Sequence, residues 1–272
     1  RPGETDFNPI RVGPSVLRST FIHAPGVGYT TESRLWHTGF RTWDAFLGGR
    51  PRVRLGDRRL QVVRTEIERS LDRLREGNYR YFARRLRPRD AWRALGEFGD
   101  RAAFLDIETT GLRRERHHVT IIGLHDGRRM RSFIEGVDLE EFPAAIGKAP
   151  LVVTFNGAAF DVPFLRASWP QLRFDQIHVD LRYPFHQLGL QGGLKRIEGH
   201  LGLERADDVA GLTGADAARL WRRYERGDED ALDALLAYNR EDVENLRPLA
   251  RYAYGALRAR CFGDREPRRP SL

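Results

Sequence analysis

Phe104-Leu105-Asp106-Ile107-Glu108-Thr109-Thr110-Gly111-Leu112 closes an apolar run that begins at Ala102. Four apolar residues followed by alternating acid and isoleucine predict a strand whose tip carries charge. Residues two apart on a strand share a face about 7 Å apart, so Asp106 and Glu108 point together. Ile107 points the other way, into a core. Two carboxylates on one face repel unless a cation lies between them. An isolated Asp-x-Glu is better explained as a solvated strand end, so the rest of the sequence decides.

Downstream, Val119 to Leu124 is a second apolar run, followed by the turn His125-Asp126-Gly127-Arg128 and a third strand, Met130 to Ile134. Leu139 to Ile146 reads as a short helix. Leu151 to Phe155 is continuously apolar, as in a strand buried on both faces. It runs into Asn156-Gly157-Ala158-Ala159-Phe160-Asp161, a glycine turn opening a helix from 160 to 167. Gln176 to Leu181 is another strand, and helices follow at 192–201, 214–226 and 229–259. Three strands, then alternation, then helices describe an α/β fold: a mixed sheet flanked by helices.

Two further acids can reach the first pair. Asp161 follows a strand end, where ligands gather in such sheets; a first-turn acid stabilised by the helix dipole is the alternative. Tyr238-Asn239-Arg240-Glu241-Asp242 places Tyr238 and Asp242 one turn apart on one helix face. Leu232, Leu235, Leu236, Val243 and Leu246 supply that helix's core face. Asn156 is a candidate substrate contact or a simple turn residue.

Upstream of residue 100 the composition changes. Fifteen arginines and six acids between positions 50 and 93 leave an excess of +9, more than the whole chain's +8. Only Lys148 and Lys195 among the 46 basic residues are lysines. Arginine suits phosphate recognition, and a GC-rich coding sequence gives the same bias. A helix is predicted over 58–76, stopped by Gly77-Asn78, and a second near 80–87, before Pro88. Tyr79, Tyr81, Phe82 and Trp92 are interleaved with the arginines, as core residues or as stacking platforms for one or two bases. His23 to Leu35, with Pro25-Gly26-Val27-Gly28, resembles a helix-hairpin-helix element within about 20–47, although Glu32 and Ser33 stand where small apolar residues are typical. There Gly26 and Gly28 would aim backbone N–H groups at a phosphate. The compact alternative is a turn packed through Trp36, Phe40, Trp43 and Phe46.

The order Asp106-x-Glu108, Asp161, Tyr238-x3-Asp242 resembles the DEDD exonuclease superfamily, on an RNase H-like fold. The tyrosine form is similar to its DEDDy branch; the DEDDh branch would carry His where this chain has Ala237. Val179-Asp180-Leu181, Gly192-Gly193-Leu194-Lys195 and residues 211 to 246 resemble the YprB-like group, as does the N-terminal segment with Trp43, Tyr81-Phe82 and Trp92. The resemblance thus implies three parts: a helical, Arg-rich region over 1–100, an RNase H-like nuclease domain over 101–262, and a tail over 263–272. It implies two Mg²⁺ or Mn²⁺ ions about 3.5–4 Å apart, bridged by Asp106. Glu108 and Asp242 would hold the ion that activates water, Asp161 the one near the leaving oxygen, and Tyr238 would orient water or phosphate. Thr109, Thr110, Gly111, Asn156 and Lys195 are expected nucleic-acid contacts. The expected activity is 3′–5′ exonucleolytic cutting of single-stranded DNA, or second of RNA. The competing readings are an endonuclease or structure-specific ribonuclease at the same acids, and a non-catalytic nucleic-acid-binding module. The apolar runs are too short for a bilayer and no leader pattern is evident, so a cytoplasmic protein without membrane contact is expected. The lone Cys261 excludes an intramolecular disulfide.

Overall fold

Helices α1 (Tyr29–His37), α2 (Trp43–Gly48), α3 (Asp57–Arg75), α4 (Tyr79–Ala83) and α5 (Leu95–Phe98) precede the sheet. Then come β1 (Ala102–Thr109), β2 (Val119–His125), β3 (Met130–Ile134), α6 (Phe142–Ile146), β4 (Leu151–Thr154), α7 (Asp161–Ser168) and β5 (Ile177–Asp180). The chain ends through α8 (Arg182–Gln187), α9 (Leu194–Leu201), α10 (Gly214–Tyr224) and the long α11 (Glu229–Phe262). This computed structural model describes residues 15–51, 55–206 and 211–263. The expected tail beyond Gly263 lies outside the described residues.

The five strands are ordered β3-β2-β1-β4-β5. β1 is antiparallel to β2, and β2 to β3, whereas β1–β4 and β4–β5 are parallel. The three-strand meander needs only tight turns. The parallel additions need crossovers, which α6 and α7 supply. This mixed sheet between helical layers is an RNase H-like α/β architecture.

Strand parity sets the layers. Leu105 and Ile107 of β1 join Phe133, Phe142, Phe164 and Leu165 in the core under α6 and α7. Ala102 and Phe104 face the opposite core, with Val243, Leu246 and Leu249 of α11. Asp106 and Glu108 continue the second parity, so they emerge where α11 crosses the strand. The register shifts after Glu108, which opposes Ile121 while Thr109 opposes Val119. The extra residue, Thr120, is a bulge that bends the β1 tip.

The N-terminal helices share the α11-side core, through Phe21, Trp43, Phe82, Trp92 and Tyr254. Trp43 stacks on Phe82 at 6.3 Å, and Trp92 meets Tyr254 edge-on at 6.1 Å. Tyr81, Phe82 and Trp92 are buried, so the role as base-stacking platforms fails for them: apolar surface at helical spacing packed inward. The helix-hairpin-helix reading is not what the described residues show. The Gly26-Val27-Gly28 turn is preceded by a three-residue 3-10 turn, Leu17–Ser19, rather than by a helix. Glu32 explains the departure noted in the sequence. Its buried carboxylate accepts the Phe21 N–H at 2.6 Å and the Ile22 N–H at 3.2 Å, and pairs with Arg93 at 2.9 Å.

Candidate active site

β4 pairs with β1 only as far as Phe104 opposite Val153. Beyond that point β1 has an open flank, and the Asp161 carboxylate faces the Ile107 N–H there; burial pushes its pKa up, and that N–H draws it back in part. The loop carrying Asp161 is braced by Asp180 at the end of β5. That carboxylate accepts the backbone N–H of Asn156 at 2.8 Å, of Ala158 at 3.0 Å and of Arg182 at 3.0 Å. Asn156 is held left-handed at φ 64°, a conformation that Asn tolerates better than most residues. A Cβ on Gly157 would lie 2.3 Å from Thr154 Oγ1, so this turn requires glycine. Asp161 opens α7, where its carboxylate also meets its own backbone N–H.

From the other side, α11 contributes Tyr238, Asn239 and Asp242. Asn239 is fully buried, and its Nδ2 donates to Asp106 Oδ2 at 3.0 Å. Carboxylate oxygens of Asp106, Glu108 and Asp242 lie within 4.8 Å of one another. Asp161 is not in that tightest trio, but lines the same cleft beside Asp106, Glu108 and Tyr238.

Packing four acids together has an electrostatic cost that shows in their protonation. Burial, and then Asp242, Asp161 and Glu108, hold Asp106 well above the usual carboxylate range. Burial and Asp242 do the same to Glu108. Burial pushes Asp161 up to about 7 and Asp242 up to about 6, the latter against the opposing pull of Arg205. Such a cluster is stable when protons or a cation neutralise it. Its donors are oxygens at chelating separation, which fits Mg²⁺ or Mn²⁺.

Burial, Asp242, Glu108 and Asp106 also keep Tyr238 a protonated phenol far above neutral pH. Its hydroxyl has no hydrogen-bond partner among the described residues. Lys195 Nζ sits 4.8 Å from the Tyr238 ring centroid and is buried without a hydrogen-bond partner.

Asp106, Glu108 and Asp161 line a cleft of about 620 Å³, with Asp242 behind them against Asp106 and Glu108. One wall is Thr109, Thr110, Gly111, Leu112 and His117; the facing wall is α10, with Ala215, Ala218, Arg219 and Arg222. Asn156 and Phe160 close a third side. Of the expected nucleic-acid contacts, Thr109, Thr110, Gly111 and Asn156 therefore line the cleft. Lys195 stands behind Tyr238. Gly26 and Gly28 lie in the N-terminal turn, outside the cleft lining. Sequence reasoning missed Asn239, Arg205 and the α10 wall. Asn239 had a faint signal, being a polar residue on the α11 face that carries Tyr238 and Asp242.

A family model described as the RNase H superfamily matches residues 103–254. No curated protein matches the chain. Among solved structures, the family B DNA polymerase of the hyperthermophilic archaeon Pyrobaculum calidifontis is similar at 18% identity and a TM-score of 0.42, over 60% of this chain and 29% of the polymerase. The chain thus spans under a third of that protein's length. A nuclease in its apo form is similar at 18% identity and a TM-score of 0.43, over 65% of this chain and 81% of that one.

Proposed function

As a member of the RNase H superfamily, to which the chain belongs by a match over residues 103–254, we propose that this protein is a divalent-metal-dependent nuclease that removes nucleotides from single-stranded 3′ ends; without a helix-hairpin-helix element among the described residues, nothing in the fold ranks DNA ahead of RNA. The observation that carries this reading is the gathering of carboxylate oxygens of Asp106, Glu108 and Asp242 within 4.8 Å of one another. Asp161 lines the cleft beside Asp106 and Glu108. The 3′–5′ direction and the preference for single strands are supported by the DEDD motif order and the Tyr238-x3-Asp242 spacing.

Asp106, Glu108, Asp161 and Asp242 are the residues that hold Mg²⁺ or Mn²⁺, as two ions in this reading. When bound, the ions supply an acidified water and charge stabilisation on the leaving oxygen. The chain's own groups do the positioning. Asn239 fixes the Asp106 carboxylate through its 3.0 Å hydrogen bond. Tyr238, kept protonated, offers an unengaged O–H to the scissile phosphate or the attacking water. Lys195, its buried Nζ 4.8 Å from the Tyr238 ring centroid, backs that ring and adds positive charge beside the acids without lining the cleft. Thr109, Thr110 and Gly111 border the cleft where a terminal nucleotide enters. Arg219 and Arg222 supply the opposite wall with the charge that the backbone of a single strand needs.

Matched DNA and RNA oligonucleotides, labelled at either end, are the test. Incubated with Mn²⁺, the 5′-labelled DNA is expected to yield a ladder of single-nucleotide steps, and Asp106→Asn is expected to abolish it. Internal cuts would favour an endonuclease on the same acids. Salt-sensitive binding with no cleavage in any divalent metal would mean a binding module. Activity undiminished in Asp106→Asn would overturn the mechanism.

A further inference from the structure

Asp242 does not stand free in the acidic cluster. Its Oδ1 accepts a hydrogen bond from Arg205 Nη2. Arg205 is in turn gripped by Glu198 of α9, which accepts from Nε at 2.7 Å and from Nη2 at 2.8 Å. Asn245 donates to the same Glu198 at 3.0 Å. The loop after α9 is tied down beside it, where the Ala206 N–H donates to Glu241 Oε1 at 2.7 Å. The Arg205 and Glu198 side chains are only 5% and 2% exposed. This is a fixed guanidinium in a two-pronged grip, unlike a solvated surface pair. Arginine cannot shed its proton to leave.

Asp242 thus presents one oxygen to a resident cation, beside the cluster that the proposed function assigns to metal. A unit positive charge there repels an incoming dication and withdraws a donor lone pair. In the metal-free chain the same charge relieves the repulsion among the acids, which gives the contact a reason to exist. Glu198, and Glu241 with its Oε2 3.9 Å from Nη1, offset part of it, but the guanidinium itself stands directly on Asp242. We propose that Arg205 is a built-in competitor for Asp242 that holds the acidic cluster's affinity for divalent metal down. Nucleic acid in the adjoining cleft brings phosphate charge of the opposite sign, which acts on the same guanidinium at longer range. Metal and substrate should then strengthen each other's binding.

The inference rests on the acids being the metal site, and one titration separates the two claims. Mn²⁺ binding to the metal-free full chain is measured by calorimetry and by the electron paramagnetic resonance of free Mn²⁺, with no substrate present. Glu198→Gln combined with Arg205→Met removes both charges of the pair, leaving neither buried alone. It is expected to bind Mn²⁺ about tenfold tighter or more. Arg205→Gln, which keeps N–H donors for Glu198, is expected to shift the same way if the double variant does not fold. Arg205→Lys, which keeps the charge, is expected to stay close to the parent chain. Equal or weaker binding in folded variants lacking the charge overturns the inference, provided that Asp106→Asn abolishes binding in the parent background. If Asp106→Asn leaves Mn²⁺ binding unchanged, the metal reading itself fails and the inference goes with it.

Discussion

Gly123 of β2 lies against Asn239 of α11 so closely that a Cβ on the glycine would sit 2.2 Å from Asn239 Oδ1 and 2.7 Å from Val243 Cγ2. Gly123 is also the register partner of Asp106. The missing side chain lets the helix settle onto the sheet at the one place where Asn239 reaches the Asp106 carboxylate. Gly123→Ala is expected to cost about 1–3 kcal/mol of stability by overpacking, read by denaturant unfolding. It should also lower Mn²⁺ affinity, because Asn239 is displaced. A variant matching the parent chain in both measurements would show that the contact does not set the site.

Asn239→Ala tests the same relationship from the helix side. It leaves the four carboxylates in place and removes the donor to Asp106. Losses of supporting hydrogen bonds behind metal ligands cost about 10–100-fold in affinity or activity. That loss is expected here, with the fold retained by circular dichroism. Unchanged cleavage would make Asn239 a packing residue only.

The protonation of the cluster gives a pH prediction for the metal-free chain. Asp161 and Asp242 titrate at about 7 and about 6 in the folded state, above the ordinary value of 3.8. Between about pH 4 and 7 these two carboxyls therefore hold more protons in the folded chain than in the unfolded one. Their contribution to stability is greatest below the unfolded value and falls as pH rises through the folded values, with a slope of up to about 1.4 kcal/mol per pH unit per proton, while buried His23, lowered to about 4, contributes in the opposite direction over the same window. Asp161→Asn should flatten that fall, and saturating Mn²⁺ should remove it, as read from unfolding midpoints across pH. A stability difference between the parent chain and Asp161→Asn that is the same at about pH 4 and pH 7 would contradict the assignment.

The N-terminal region should matter for stability rather than for chemistry. Glu32 and Arg93 form a pair whose side chains are 2% and 5% exposed. Removing one partner of a buried pair leaves a charge without compensation, at about 3–5 kcal/mol. Glu32→Ala is expected to lose that much, and to lose the Phe21 and Ile22 N–H bonds as well. Cleavage per folded molecule should hardly change. A loss below about 1 kcal/mol would mean that the turn is held by packing alone.

Local pattern carried much of this structure. The alternation in 104–108 told which side of β1 each residue faces, and the apolar run 151–155 marked a strand buried on both faces. Parity and helical spacing gave each acid a face, but it was their order along the chain, which resembles the DEDD superfamily, that joined the four. What escaped depends on how distant elements cross. Arg205 lies in a short loop without periodicity, and only the packing of α9 against α11 brings it to Asp242. Asn239 gains its meaning from Gly123, which is 116 positions away in the chain. The Gly26-Val27-Gly28 turn misled for a related reason. The glycines signal a turn, but the element before it is shaped by Glu32, whose buried partner Arg93 lies 61 residues on.

The most direct test of the central claim, that these carboxylates hold the metal, is anomalous diffraction from crystals soaked in Mn²⁺. Peaks are expected bonded to Asp106, Glu108 and Asp242, with Asp161 beside them, and are expected to vanish in Asp106→Asn. Anomalous signal confined to other acids, with none in the cleft, would contradict the account.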